Sequence, residues 1–205
     1  MGGGGHGILP SGYEQLNYVY SNGDAFISTL YKPVGGEQIT VDTMIDSFPN
    51  HDNFIQFFGV RYGAVATSEN NYWLGVHSSG MLYTRFGTVN PSQSTRLIGT
   101  GVRRLFYVDL VNKSISLNGT ERQTFPTSNI KGNTDVVFVF RVHSQEILGW
   151  EGTGLKIYEF IIKKDGIELC HLIPAKRISD NYIGMYDIVA DVFRINSGNG
   201  SFVGG

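Results

Sequence analysis

The chain has 205 residues, a formal net charge of -2, 41% hydrophobic and 17% charged residues, and a single cysteine. Its 16 Lys and Arg are scattered without a basic stripe, which argues against a nucleic-acid-binding face, and no apolar run reaches the length of a membrane span. Lone Cys170 rules out an intrachain disulfide; it sits in the apolar run Ile167-Glu168-Leu169-Cys170, where a buried, inert thiol is expected.

The opening Met1-Gly2-Gly3-Gly4-Gly5-His6-Gly7 has neither the charged nor the apolar stretch of a signal peptide. It reads as a Gly-rich arm over residues 1–8, ahead of one domain over residues 9–205. Four consecutive glycines are entropically expensive to order, so an ordered arm is expected to be held by another subunit or protein. Residues 38–47 then alternate: Ile39, Val41, Thr43 and Ile45 fall on one face, Thr40, Asp42, Met44 and Asp46 on the other, the signature of a half-buried antiparallel strand. Residues 54–60 are apolar on both faces, as a central strand should be. Residues 72–77 and 81–86 flank Ser78-Ser79-Gly80, a hairpin signal. A meander follows over residues 104–111, 114–117 and 120–125, with turns at Asn112-Lys113 and Asn118-Gly119; Asn-Gly suits the positive φ angles of a type I′ turn. Residues 136–142 are β-branched and aromatic. Residues 155–163 and 167–174 flank the turn Lys164-Asp165-Gly166, and the chain closes with strands at 182–187, 192–195 and near Phe202. That is about a dozen short strands at hairpin spacing without helical interludes, which predicts an all-β, two-sheet antiparallel sandwich.

Particular motifs narrow the class. Leu9-Pro10-Ser11-Gly12-Tyr13-Glu14-Gln15-Leu16-Asn17-Tyr18-Val19 resembles the opening of concanavalin A-like (laminin-G-like) domains found in phage structural proteins and gut-bacterial surface proteins. Ala25-Phe26-Ile27-Ser28-Thr29 with Lys32-Pro33, then Phe57-Phe58-Gly59-Val60-Arg61, are similar to later segments of that pattern. So are Lys156-Ile157-Tyr158-Glu159-Phe160-Ile161-Ile162, Leu172-Ile173-Pro174-Ala175, Gly184-Met185-Tyr186-Asp187 and Asn196-Ser197-Gly198-Asn199-Gly200-Ser201-Phe202. The resemblance implies a concanavalin A-like jelly roll. It also implies a non-enzymatic role as a carbohydrate-binding, adhesion or virion module in a tail, fibre or capsid decoration. Expected partners are a host-surface glycan and other virion proteins, or self-association through the arm, with neither nucleic acid nor membrane insertion. Expected location is the virion, or a cell surface for an adhesin. A purely structural virion part without a glycan ligand, and a glycanase, are the alternatives. Ser28 stands where the pattern has Asp, and residues 88–100 match no part of it.

Glucanases on this fold use a strand carrying Glu-x-Asp-x-(x)-Glu, which puts two carboxylates on one face. Asp42 and Asp46 share a face without such a Glu, and Gly-x-Ser-x-Gly is absent, so no catalytic residue is assigned. Sugar binding needs rings that stack on C–H faces and polar groups that fix hydroxyls. Tyr72, Trp73, Tyr83 and Arg85 on one hairpin supply those ingredients, as do Trp150 and Glu151 in a glycine-rich loop; Trp73 reads as core first and as platform second. No cofactor is expected beyond a structural calcium, for which Asp52-Asn53 and Asp180-Asn181 offer oxygens that turn chemistry also explains.

Overall fold

The computed structural model describes residues 9–48, 54–61, 71–87, 92–125, 135–144 and 154–205. Among them are eighteen strands. They are β1 (Tyr13–Gln15), β2 (Val19–Asn22), β3 (Ile27–Ser28), β4 (Gln38–Ile45), β5 (Phe54–Arg61), β6 (Tyr72–His77), β7 (Met81–Phe86), β8 (Ser92–Leu97) and β9 (Arg103–Asp109). The second half adds β10 (Ser114–Leu117), β11 (Thr120–Thr124), β12 (Phe138–Val139), β13 (Val142–Ser144), β14 (Leu155–Lys164), β15 (Ile167–Arg177), β16 (Ile183–Asp187), β17 (Val192–Arg194) and β18 (Ser201–Gly204). An eleven-stranded sheet runs β11-β10-β9-β4-β14-β15-β16-β17, with β1, β2 and β18 joined along one end. A seven-stranded sheet runs β3-β12-β5-β6-β7-β8, with β13 on β5. All pairings are antiparallel except the short β13–β5 contact. The protein is thus a two-sheet jelly-roll sandwich.

The alternation in β4 does what the residues dictate: Ile39, Val41, Thr43 and Ile45 are buried and the intervening residues half-exposed. Asn118-Gly119 and Asp165-Gly166 both take positive φ at each turn residue, 51° and 78° in the first, 51° and 80° in the second, which is the type I′ geometry that matches strand twist. Inner faces of the two sheets meet in one core. Phe57 packs on Phe106 at 5.1 Å, Phe58 on Phe160 at 5.4 Å, and Phe140 on Phe202 at 5.1 Å between ring centroids. Each such side chain taken out of water contributes about 1.5–3 kcal/mol. Cys170 is in this core, 1% exposed, and burial pushes its thiol above the ordinary range.

A second, smaller cluster lies on the outer face of the eleven-stranded sheet. Leu9 and Tyr13 from the opening motif pack on Ile173, Ala175 and Tyr186, together with Ile188 and Phe193. The rings of Tyr13 and Tyr186 meet edge to face at 4.8 Å. Three motifs distant in sequence therefore meet here: the first strand clasps the strands that carry Leu172-Ile173-Pro174-Ala175 and Gly184-Met185-Tyr186-Asp187.

One expectation needs correction. Eighteen strands are present among the described residues rather than about a dozen, because short pairings of two to four residues carry little periodicity of their own. Residues 88–100, unmatched by any motif, contain β8, a polar edge strand hydrogen-bonded to β7. The Gly-rich arm lies outside the described residues.

Candidate functional site

The hairpin β6–β7 splits the expected glycan surface between two faces. Tyr72 points into the core, fully buried, with its ring 5.3 Å from Phe86 and 6.1 Å from Phe58; burial pushes its hydroxyl well above the ordinary tyrosine value. A residue so placed cannot touch a ligand, and its assignment as one is withdrawn. Trp73 is on the opposite face of the strand, yet only 3% exposed, and Arg85 is 4% exposed. Both are covered side chains rather than platforms. Tyr83 is half-buried and packs edge-on against Phe54 at 5.0 Å. Trp150, Glu151, Asp52 and Asn53 lie outside the described residues.

Asp180 is engaged by Arg177, whose Nε and Nη2 donate to its carboxylate at 2.6–3.1 Å, and its Oδ1 accepts the Tyr182 N–H. Asn181 has φ 58°. Turn chemistry accounts for this pair. Among the described residues no group of three or more His, Cys, Asp or Glu is arranged to hold a metal ion.

The structure instead brings together a polar cleft of about 290 Å³ on the outer face of the eleven-stranded sheet, lined by Gln15, Leu16, Asn17, Arg103, Tyr158, Glu159, His171 and Ile173. It forms where β14 and β15 part. Their pairing ends at Phe160–Leu172; beyond that point β14 pairs with β2 through Ile157 and Lys156, and β15 pairs with β1 through Ala175 to Arg177. The link between β1 and β2, residues 16–18, spans the resulting gap. Leu16 N–H donates to the Pro174 carbonyl and Asn17 N–H to the Gly205 carbonyl, which fixes that wall.

Two β-bulges aim the side chains. In β14 the register against β4 slips between Ile157 and Glu159, leaving Tyr158 without a partner on β4. Ile157 and Phe160 stay in the core while Tyr158 and Glu159 both remain half-exposed. In the β14–β15 hairpin the register slips between Ile162 and Lys163, so that Cys170, not Leu169, lies opposite buried Ile162. That slip turns His171 to the outer face. A bulge re-aims side chains in this way at functional sites.

The cleft's charges are tied to one another. Arg103 donates through Nε and Nη2 to the two carboxylate oxygens of Asp42 at 2.8 and 2.7 Å, and its guanidinium lies 3.9 Å from the centroid of the Tyr158 ring. His171 Nε2 is 2.9 Å from Glu159 Oε1, and Nδ1 is 3.0 Å from Glu168 Oε2. Burial works against the charged imidazole, but the hydrogen bonds and charges of Glu159 and Glu168 outweigh it and hold its pKa above the ordinary value. Glu159 is lowered chiefly by its bond to His171, and Glu168 by Lys163 first and His171 second. Lys156 reaches Asp46 at 2.8 Å and sits over the Tyr18 ring. Asp42 and Asp46, expected on one face of their strand, do share the outer face, each held by a cation.

Sequence reasoning missed Gln15, Asn17, Arg103, Tyr158, Glu159 and His171 as a group. One signal was available: three of the motif segments supply residues to this one cleft.

No family model matches the chain, and no curated protein matches it. Among solved structures it is similar to a Bacteroides ovatus protein provisionally named as carbohydrate-binding (TM-score 0.54, 12% identity, 93% of this chain and 60% of that one). It is also similar to the CBM40 of a Ruminococcus gnavus sialidase bound to α2,3-sialyllactose (TM-score 0.46, 12% identity, 73% and 90%). A heptameric pentraxin from Limulus polyphemus gives TM-score 0.45 at 13% identity, over 71% and 74%. The first of these likenesses bears on the fold, which is the concanavalin A-like jelly roll.

Proposed function

We propose that the chain is a non-enzymatic glycan-binding module, carried on the outside of a phage-type particle, and that it takes one terminal sugar unit in the cleft between β14 and β15. The observation behind this is the convergence of Gln15, Asn17, Arg103, Tyr158, Glu159 and His171 on a single concavity of about 290 Å³. Its size lies near the lower end of ligand pockets, which run from roughly 300 Å³ upward. Carboxamides, a carboxylate and a guanidinium supply the mixed donors and acceptors that sugar hydroxyls need. Leu16 and Ile173 supply apolar wall. A binding role rather than hydrolysis is supported by the state of the carboxylates. Glu159 is held below the ordinary carboxylate range chiefly by its bond to His171, and Glu168 by Lys163 first and His171 second, so neither is raised to act as general acid. The particle context rests on the motif resemblance.

Glycan-array screening followed by calorimetry tests the reading. Asn17→Ala and Glu159→Gln should each weaken binding by roughly tenfold with the fold intact, while Lys113→Ala, on a distant turn, should not. Binding to no glycan, or binding untouched by both cleft variants, refutes it. Detection of the chain in purified particles tests the location.

A further inference from the structure

We infer that the cleft selects uncharged glycosyl groups over acidic ones, and that it keeps its binding shape only while His171 carries its proton. This rests on the glycan-binding reading above and assigns the ligand class and control of that same site.

The selection follows from how the cations are used. An acidic sugar is held best by a guanidinium fork or an unmatched ammonium. In this cleft the Arg103 fork, Nε with Nη2, is already occupied by both oxygens of Asp42. Lys163 is paired with Glu168 at 2.9 Å and Lys156 with Asp46 at 2.8 Å. His171 is bonded at both nitrogens. A carboxylate, sulfate or phosphate entering the cleft would meet Glu159 and find each of these cations matched. A hydroxyl needs no such charge: it can accept from the remaining Arg103 nitrogen and the Gln15 or Asn17 amide, and donate to Glu159.

The proton requirement follows from the imidazole geometry. A neutral ring donates from one nitrogen and presents a lone pair at the other. With carboxylate oxygens 2.9 and 3.0 Å from the two ring nitrogens, a neutral ring would set a lone pair against a carboxylate. Both contacts are satisfied together only by imidazolium. The groups around it are Glu159, Lys163 and Tyr158 on β14, Glu168 on its own strand β15, Arg103 on β9 and Asp42 on β4. From β16, Asp187 accepts the His171 backbone N–H rather than a ring nitrogen. Loss of the proton turns a lone pair toward one of the two carboxylates. Glu168 keeps Lys163 in either tautomer; when the bare nitrogen is Nε2, Glu159, which lines the cleft, loses its donor, and that changes both charge and shape there.

The experiment combines binding and NMR on the intact chain. Neutral oligosaccharides ending in galactose, glucose or fucose, and counterparts ending in sialic or uronic acid, are arrayed between about pH 6 and pH 9, a range that begins near the roughly 6.5 of free imidazole. The expected result is neutral glycans bound at least about tenfold more tightly than acidic ones. That affinity should fall several-fold as pH rises, and His171→Gln should make it independent of pH. The His171 Cε1–H signal, assigned by its loss in that variant, should titrate above the value for free histidine. Acidic glycans bound as well as neutral ones overturn the selection. A flat affinity across a range in which the His171 signal titrates overturns the proton requirement. If no glycan binds at all, the glycan-binding reading fails; the NMR titration still decides the clamp, and a His171 signal titrating at or below the free value overturns it.

Discussion

Replacing Asp187 by asparagine removes one charge and almost no volume, yet it should be among the most damaging polar substitutions in this protein. Asp187 is 2% exposed. Its Oδ2 accepts from Arg194 Nη2 at 2.8 Å and lies 4.0 Å from the Cys170 thiol. Its Oδ1 accepts the backbone N–H groups of Ala190 at 3.3 Å and His171 at 3.4 Å. One carboxylate thus joins β15, β16, the turn after β16 and β17. Asparagine can keep the Oδ1 contacts, but its NH2 then faces the Arg194 guanidinium. The Arg194 side chain is 10% exposed and its Nε has no hydrogen-bond partner among the described residues, so a nearly buried cation would be left without an anion. Breaking a buried pair from one side costs about 3–5 kcal/mol, a large part of the roughly 5–15 kcal/mol that separates folded from unfolded chains. At about 2–4 °C per kcal/mol for a chain of this size, the melting temperature should fall by about 6–20 °C. Urea denaturation of Asp187→Asn, Arg194→Met and the double variant measures the coupling directly. The double variant should be more stable than Asp187→Asn alone, since no uncompensated charge remains. A loss below about 1 kcal/mol for Asp187→Asn, or strict additivity in the cycle, refutes the reasoning.

Other consequences can be checked in the same way. Asn196 accepts the Phe26 and Gly198 N–H groups and donates to the Gly198 and Gly200 carbonyls; at about 0.5–1.5 kcal/mol net for each bond, Asn196→Ala should lose about 2–6 kcal/mol in urea unfolding. A Cβ on Gly184 would lie 2.2 Å from the Arg194 carbonyl oxygen, a backbone atom that cannot step aside. Gly184→Ala should therefore cost at least the roughly 1–3 kcal/mol of an overpacked core, seen as a lower melting temperature. His171 has a raised folded-state pKa, so its stabilisation is fully present below the unfolded value of about 6.5 and disappears as pH climbs through the folded value; urea midpoints should drop over that window in the parent and stay level in His171→Gln. Cys170, buried with its thiol pushed up, should resist a thiol reagent in the native protein and react at once in denaturant.

The sequence by itself determined the class of fold and most of its parts. Period-2 alternation placed β4, and the Asn118-Gly119 and Asp165-Gly166 turns placed two hairpins, because these are local properties: side-chain period and backbone φ are set by a few adjacent residues. Tyr72 and Trp73 show where that ends. Adjacent strand residues must face opposite sides, but which side is core, and how deeply the other is covered, depends on elements far away in the chain. The cleft was illegible for a sharper reason. A strand read with unbroken register would pair Leu169 with Ile162 and send His171 inward with it. The bulge between Ile162 and Lys163 adds one residue and reverses every later side chain on β15, so Cys170 enters the core and His171 meets Glu159. Neither that slip, nor the one that leaves Tyr158 unpaired, has a mark in the local sequence. Both are settled by packing across strands, where burying Phe160, Ile162, Cys170 and Leu172 in one core outweighs keeping each ladder regular.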